Sequence, residues 1–170
     1  AFCLGNIMPD LKPSFLTTRH EFFGTFNQLQ SNMRELVERS PEEDNARVYW
    51  RRFGEVMHYM ADYFTFPHNR TYKGSLAEHN SYEAELKNRL KECILSGRAD
   101  SQLEEAKHFD SFEELVEYIR ERHTCYLESP RCIADDIRFI LRVCYQVVQG
   151  IFQLCMRRQF HMEEQPLMVG

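Results

Sequence analysis

The sequence predicts an all-α protein, a single-domain bundle of about five helices around a hydrophobic C-terminal central helix. Two observations support this fold class. No stretch of the chain alternates convincingly between polar and apolar residues as a strand does. Near the C-terminus, apolar residues recur at helical spacing over about six turns. They are Ile133, Ile137, Ile140, Cys144, Val147, Val148, Ile151 and Cys155.

The C-terminal stretch is apolar around most of its circumference, because Leu141, Val143 and Phe152 widen the apolar face. Other helices are therefore expected to surround it. The same stretch contains Arg138 and Arg142, which would be costly inside a hydrocarbon layer. It is predicted to be a core helix, and no membrane insertion is expected.

The two ends of the chain are predicted to lie outside the bundle. Residues 1–16 contain Pro9 and Pro13, so they are expected to form an extended N-terminal arm over the core. The helical bundle domain is expected to span residues 17–160. Residues 161–170 are interpreted as a C-terminal tail or linker, which would make the chain a piece of a longer protein.

Capping signals place the first two helices. Thr18 and Glu21 form a capping box that predicts a helix from Thr18 to Ser40. The segment Ser40-Pro41-Glu42-Glu43 combines a cap, a first-turn proline and acidic residues, and it predicts the start of a second helix. That helix is expected to end at Phe66-Pro67. Because almost no linker separates the two helices, an antiparallel hairpin is predicted.

The same kind of signal places the next two helices. Ser75 and Glu78 form a capping box for a third helix, which Gly97 is expected to end. Asp110 and Glu113 are predicted to cap a fourth helix. The central helix then completes the bundle.

The segment between Pro67 and Ser75 has no periodicity and is predicted to be an exposed loop. Asn69-Arg70-Thr71 within it is a glycosylation sequon, so Asn69 is a candidate glycan acceptor.

The six cysteines allow two interpretations. They can be reduced thiols that act as small apolar side chains. Alternatively, Cys125 and Cys132 bracket a turn that contains Ser129-Pro130, and an oxidising compartment would allow a disulfide between them. Intracellular localisation is slightly favoured over secretion.

Three sets of residues are candidate metal ligands. His123, Cys125 and Cys132 could supply three zinc ligands, but their spacing does not match a paired-cysteine knuckle. The pairs Glu55–His58 and Glu105–His108 have the spacing of di-iron sites, but the first pair points away from the predicted core face. The sequence therefore predicts neither a metal nor a cofactor.

No catalytic motif was found: the chain has no nucleophile elbow, phosphate-binding glycine loop or dinucleotide fingerprint. The net charge of −5 argues against nucleic acid as a partner. The sequence therefore predicts a non-enzymatic protein–protein interaction domain, a regulatory or assembly module that binds a protein partner through a helix face or groove.

Two aromatic residues off the main apolar stripes, Phe139 and Phe23, together with Arg142, are the candidate partner-binding residues. A homo-oligomer would also be compatible with such a surface. The alternative function is a secreted, disulfide-bonded helical ligand or receptor-binding protein.

Overall fold

The structure is a computed structural model that describes residues 1–11, 21–43, 45–130 and 132–163. These residues form six α-helices and no strand, which confirms the predicted all-α bundle. The helices are α1 (Phe2–Leu11), α2 (Phe22–Glu38), α3 (Ala46–Tyr63), α4 (Leu76–Leu95), α5 (Phe112–Glu128) and α6 (Ile133–Glu163).

Helix α6 is the central helix that the sequence predicts. Every residue from Asp135 to Cys155 is buried or half-buried, and α2, α3, α4 and α5 all pack on it. By length and composition α6 could also cross a membrane, a property that it shares with the buried core helices of soluble proteins. The helix continues to Glu163, so the predicted tail begins later than residue 161. Residues 164–170 lie outside the described part of the chain.

The first described segment is the helix α1 and not the predicted extended arm. Gly5 and Pro9 lie one turn apart on the face that packs against α3. A Cβ atom on Gly5 would overlap the carbonyl oxygen of Arg51, and a Cβ on Gly54 would overlap the backbone of α1. Close backbone contact with α3 therefore stabilises a helix despite the internal proline. Residues 12–16 of the predicted arm lie outside the described residues.

The boundary between α2 and α3 differs from the prediction. Thr18 lies outside the described residues, and α2 begins at Phe22. Ser40 and Glu43 do exchange hydrogen bonds, from Ser40 N to Glu43 Oε2 at 2.9 Å and from Glu43 N to Ser40 Oγ at 3.3 Å. These two hydrogen bonds stabilise a turn at residues 40–43 and do not begin a helix. Helix α3 begins later because Asn45 caps it: the Asn45 side chain accepts from the backbone N–H groups of Arg47 and Val48.

The boundaries of α4 follow the prediction closely. Ser75 and Glu78 form both bonds of the capping box, and Gly97 has a left-handed φ of 73° just beyond the helix. Helix α5 is capped by Ser111, one residue later than predicted, with Ser111 Oγ accepting from Glu114 N at 3.2 Å. The local capping signals thus place these two helices within a residue.

Candidate metal centre

Two histidines and a glutamate converge between α4 and the turn that precedes it. His68 Nε2 and His79 Nε2 each lie 2.9 Å from Glu83 Oε1. One ligand atom from each of the three residues lies within 4.8 Å of the others. Two imidazoles and one carboxylate are a donor set that catalytic zinc sites use. We call His68, His79 and Glu83 the metal centre.

Local structure explains how the metal centre forms. His79 and Glu83 are four residues apart on α4, so their side chains lie on one face of the helix. His68 is the last residue of a 3₁₀ turn, Phe66–His68, that connects α3 to α4. Pro67 lies in the first turn of this short element and is buried, which fixes the chain direction before His68.

The buried carboxylate of Asp136 on α6 holds both ligand-bearing segments. Its Oδ2 accepts hydrogen bonds from Phe66 N at 3.0 Å and from Tyr82 Oη at 2.8 Å. Its Oδ1 accepts from Tyr126 Oη at 2.7 Å. Burial raises the pKa of Asp136 although these three bonds oppose the shift. Since Phe66 precedes His68 by two residues and Tyr82 precedes Glu83 by one, Asp136 sets the position of both ligands.

A second group of polar side chains lies beside the metal centre. His58 Nε2 is 3.1 Å from Asp62 Oδ2 and 3.4 Å from Asp10 Oδ1. The other oxygen of Asp62, Oδ1, is 3.8 Å from His68 Nε2. Asp62 therefore connects the two groups. The close packing of α1 on α3 is what brings Asp10 to this place.

The carboxylates favour positive charge at the site. Burial by itself would lower the pKa of His68, but the carboxylates of Asp62 and Glu83 outweigh burial and raise it. The same balance, with Asp62 and Asp10 as the acidic neighbours, raises the pKa of His58. The hydrogen bond with His68 lowers the pKa of Glu83. A bound cation would be stabilised by the same charges that here attract protons.

A cleft of about 520 Å³ opens beside these residues. Its polar end contains Asp10, Asp62, His68 and Glu83. Its other end is lined mainly by apolar side chains, with two lysines among them: Leu86, Lys87, Leu90, Lys91, Ile94, Leu95 and Ile140. From Glu83 to Ile94 the α4 wall of the cleft is about 16 Å long at 1.5 Å per residue. The cleft therefore joins a polar site to an apolar groove.

The predicted partner-binding residues lie elsewhere. Phe139 is half-buried and stacks on Phe64 with ring centroids 5.9 Å apart. Arg142 forms an ion pair with Glu104 at 2.8 Å. Phe139 and Arg142 line one pocket, but Phe23 does not line it and lies exposed with the Arg70 guanidinium 5.0 Å from its ring.

The structure also places the other candidate residues. Asn69 is only 6% exposed and its Nδ2 donates to the carbonyl oxygen of Thr65 at 2.9 Å, so the loop buries the side chain that it was predicted to expose. A buried amide offers no access for a glycan in the folded chain. His123 is buried against Asn69, whereas Cys125 and Cys132 are exposed free thiols. The disulfide between these cysteines stays a prediction.

The metal centre does not match the spacing of glutamate three residues before histidine, so that pattern did not predict it. The informative spacing is a histidine four residues before an acidic residue, and it occurs twice, in His58–Asp62 and His79–Glu83. His68 lies between the two pairs. Each pair occupies one face of a helix, an arrangement that lets two side chains bind the same ion.

Comparison with known proteins adds one match. The family model described as "Zinc dependent phospholipase C" matches residues 1–133, which contain the metal centre and the His58–Asp62 pair. No curated protein and no solved structure matches the chain.

This match overturns the predicted function. It points to an enzyme, so the predicted non-enzymatic regulatory or assembly module is wrong, and the alternative of a secreted ligand explains the match no better. The predicted protein partner without membrane insertion is wrong as well, because the family suggests a lipid substrate and interaction with a membrane. The family match does not test Phe139, Phe23 and Arg142, and a binding role for these three residues stays a prediction.

Proposed function

We propose, because the chain belongs to the zinc-dependent phospholipase C family, that it hydrolyses the bond between the phosphate and the diacylglycerol of a phospholipid. The observation that carries the proposal is the convergence of His68, His79 and Glu83, because His68 and Glu83 also line one end of an apolar cleft. In the reaction a water oxygen forms a bond to phosphorus and the bond to the diacylglycerol oxygen breaks. The released alcohol takes up a proton.

The residues of the metal centre fit zinc. His68 Nε2, His79 Nε2 and a carboxylate oxygen of Glu83 are close enough together to bind one ion, and the set leaves room for a non-protein ligand. Zinc in such a site supplies Lewis acidity toward phosphoryl oxygens and makes water a better nucleophile at neutral pH. Asp62 Oδ1 lies 3.8 Å from the same Nε2 atom of His68, so the Asp62 carboxylate adds negative charge beside a bound cation.

The shape of the cleft supports a lipid substrate. Leu86, Leu90 and Ile94 follow Glu83 along one face of α4, so an apolar wall begins where the ligand set ends. A phospholipid has its phosphate next to two hydrocarbon chains, and this order of groups matches the cleft. Lys87 and Lys91 line the same wall and can attract the phosphate.

Two ligand variants test the proposal. His79→Ala and Glu83→Gln each remove one donor from the metal centre, and both are expected to lower zinc content and hydrolysis by about 100-fold or more. Zinc is measured by elemental analysis after gel filtration. Hydrolysis of phosphatidylcholine is measured by ³¹P NMR, which distinguishes phosphocholine from the substrate.

His108→Ala is the matched control. His108 is an exposed histidine that contacts Arg157 and does not line the cleft. This variant is expected to keep zinc and activity. The proposal fails if the zinc-loaded protein releases no phosphocholine, or if the ligand variants bind zinc and hydrolyse the lipid as well as His108→Ala does.

A further inference from the structure

Helix α1 presents an apolar stripe to solvent. Leu4, Ile7 and Leu11 are 52%, 54% and 71% exposed, and their spacing of three and four residues places them on one side of the helix. Gly5 and Pro9 are on the opposite side, where α1 packs on α3. The helix therefore has apolar residues on both faces, and only the inner face is covered by the described residues.

A second exposed apolar group ends α4. Ile94 and Leu95 are 55% and 76% exposed and line the outer part of the cleft. Asp10, the neighbour of Leu11 in α1, lines the same cleft. The C-terminal end of α1, where Leu11 lies, and the C-terminal end of α4 therefore flank one opening, and Ile7 and Leu4 continue the α1 stripe away from it. Isolated exposed leucines need no explanation, but apolar groups from two helices at the mouth of one cleft indicate a contact surface.

The charge at this opening is positive on the α4 side. Lys87 and Lys91 are exposed, lie one turn apart on α4 and form no ion pair with any described residue. The chain as a whole carries a net charge of −5, so this positive edge is local. Apolar side chains that are flanked by lysines fit a bilayer surface, in which the hydrocarbon lies directly beneath phosphate groups.

We propose that the outer stripe of α1 and the C-terminal end of α4 form the surface by which this protein binds a phospholipid bilayer, with the cleft opening toward the lipid. We call this surface the docking surface; it consists of Leu4, Ile7, Leu11, Ile94 and Leu95. The proposal rests on the proposed function, because the bilayer is the place where a phospholipid substrate occurs. In this orientation a lipid can enter the cleft with its phosphate toward the metal centre and its chains along Leu90 and Ile94.

Vesicle flotation of the zinc-loaded protein tests the docking surface without any need for catalysis. Leu4→Gln, Ile7→Gln and Leu11→Gln are combined in one variant, and binding to phosphatidylcholine vesicles is expected to fall by about tenfold or more because three apolar contacts are lost. The matched control combines Met156→Gln with Phe160→Gln, two exposed apolar residues of α6 that do not line the cleft. This control is expected to bind as the unmodified chain does.

The lysines are tested separately. Vesicles of equal parts phosphatidylglycerol and phosphatidylcholine are expected to bind the protein more strongly than vesicles of phosphatidylcholine alone. Lys87→Gln combined with Lys91→Gln is expected to remove this difference. The proposal is overturned if the unmodified chain binds neither type of vesicle, or if the α1 variant binds as tightly as the α6 control. It is also overturned if the α1 variant only abolishes self-association in sedimentation velocity, since the stripe would then contact a second copy of the chain.

A soluble substrate separates this proposal from the proposed function. The rate on a short-chain phosphatidylcholine below its micelle concentration serves as the reference for each protein. For the α1 variant, the ratio of the hydrolysis rate on vesicles to the rate on the short-chain lipid is expected to be lower than for the unmodified chain. If the unmodified chain does not hydrolyse the monomeric lipid, the proposed function fails, and flotation still decides whether the docking surface binds a bilayer.

Discussion

The hydroxyl group of Tyr82 donates a 2.8 Å hydrogen bond to Oδ2 of Asp136, the same oxygen that accepts from the backbone N–H of Phe66. Tyr82 is next to the ligand Glu83, and Phe66 is two residues before the ligand His68. One buried oxygen of α6 therefore sets the distance between the α4 part of the metal centre and the turn part. Hydrogen bonds of this kind outside the ligand set are known to tune metal affinity.

Tyr82→Phe is predicted to weaken zinc binding by about tenfold, because it releases α4 from Asp136. Zinc affinity is measured by competition with a chelating dye. Tyr126→Phe is the matched control, since it removes a 2.7 Å hydrogen bond to the other oxygen of Asp136 from α5, which carries no ligand of the metal centre. Each variant is expected to lose about 1 kcal/mol of unfolding free energy. An equal loss of zinc affinity in the two variants would contradict the positioning role.

Gly54→Ala is predicted to move α1 away from α3. Its Cβ would overlap the carbonyl oxygen of Phe2, which is backbone and cannot rotate aside. The expected cost is about 1–3 kcal/mol of unfolding free energy, measured by urea denaturation. Because the packing at Gly54 holds α1 on α3 and places Asp10 beside His58, its loss should let α1 open more often. Faster amide hydrogen exchange is therefore expected throughout α1.

Gly97→Ala controls for a general loss of stability. Gly97 has a φ of 73° and no neighbouring atom near its Cβ position, so the substitution costs about 1 kcal/mol through backbone conformation alone. Exchange in α1 should stay at its original rate in this variant. If Gly97→Ala also accelerated exchange in α1, the contact at Gly54 would not be what holds the helix.

The sequence predicted those parts of the fold that depend on local signals. The apolar pattern of α6 and the capping box at Ser75 each lie within one element, and both are confirmed. The extended arm was wrong because the stability of α1 depends on Gly54, which is about fifty residues away in the chain. The tendency of proline to interrupt a helix is judged from neighbouring residues, and a contact between Pro9's helix and Gly54 cannot be seen there.

The metal centre could be predicted only in part. The spacing of His79 and Glu83 is local and visible in the sequence, but His68 joins them only after the turn folds back onto α4. Asp136 contributes from α6, more than fifty residues further along the chain. A site that is built from separate elements has no single window of sequence that contains it.

Cys144 is predicted to be inert in the folded protein. Burial raises the pKa of its thiol to about 12, so almost no thiolate is present near neutral pH. A thiol reagent is expected to label the exposed Cys3, Cys125 and Cys132 first and Cys144 only after unfolding. Labelling of the unfolded, unreduced chain then tests the disulfide: six labels mean free thiols, and four mean that one disulfide is present. Rapid labelling of Cys144 in the native protein would contradict the raised pKa of its thiol.

His123 is predicted to make the folded protein less stable in mild acid. Its ring is 3% exposed and stacks on Phe22 with centroids 4.0 Å apart, and burial lowers its pKa to about 4. In the unfolded chain the imidazole has a pKa of about 6.5, so the unfolded state binds the proton first as the pH falls. The stability that the neutral ring contributes is therefore complete above about pH 6.5 and is lost progressively down to about pH 4.

Between pH 7 and pH 5 this linkage should lower the unfolding free energy by about 2 kcal/mol. Urea denaturation with excess chelator measures the difference without any contribution from metal release. His123→Phe keeps a ring against Phe22 but cannot bind a proton. Between pH 7 and pH 5 this variant should therefore lose about 2 kcal/mol less unfolding free energy than the unmodified chain loses. His108→Phe, at an exposed position, should behave as the unmodified chain does. If the His123 and His108 variants lost stability equally between the two pH values, protonation of His123 would not be the cause.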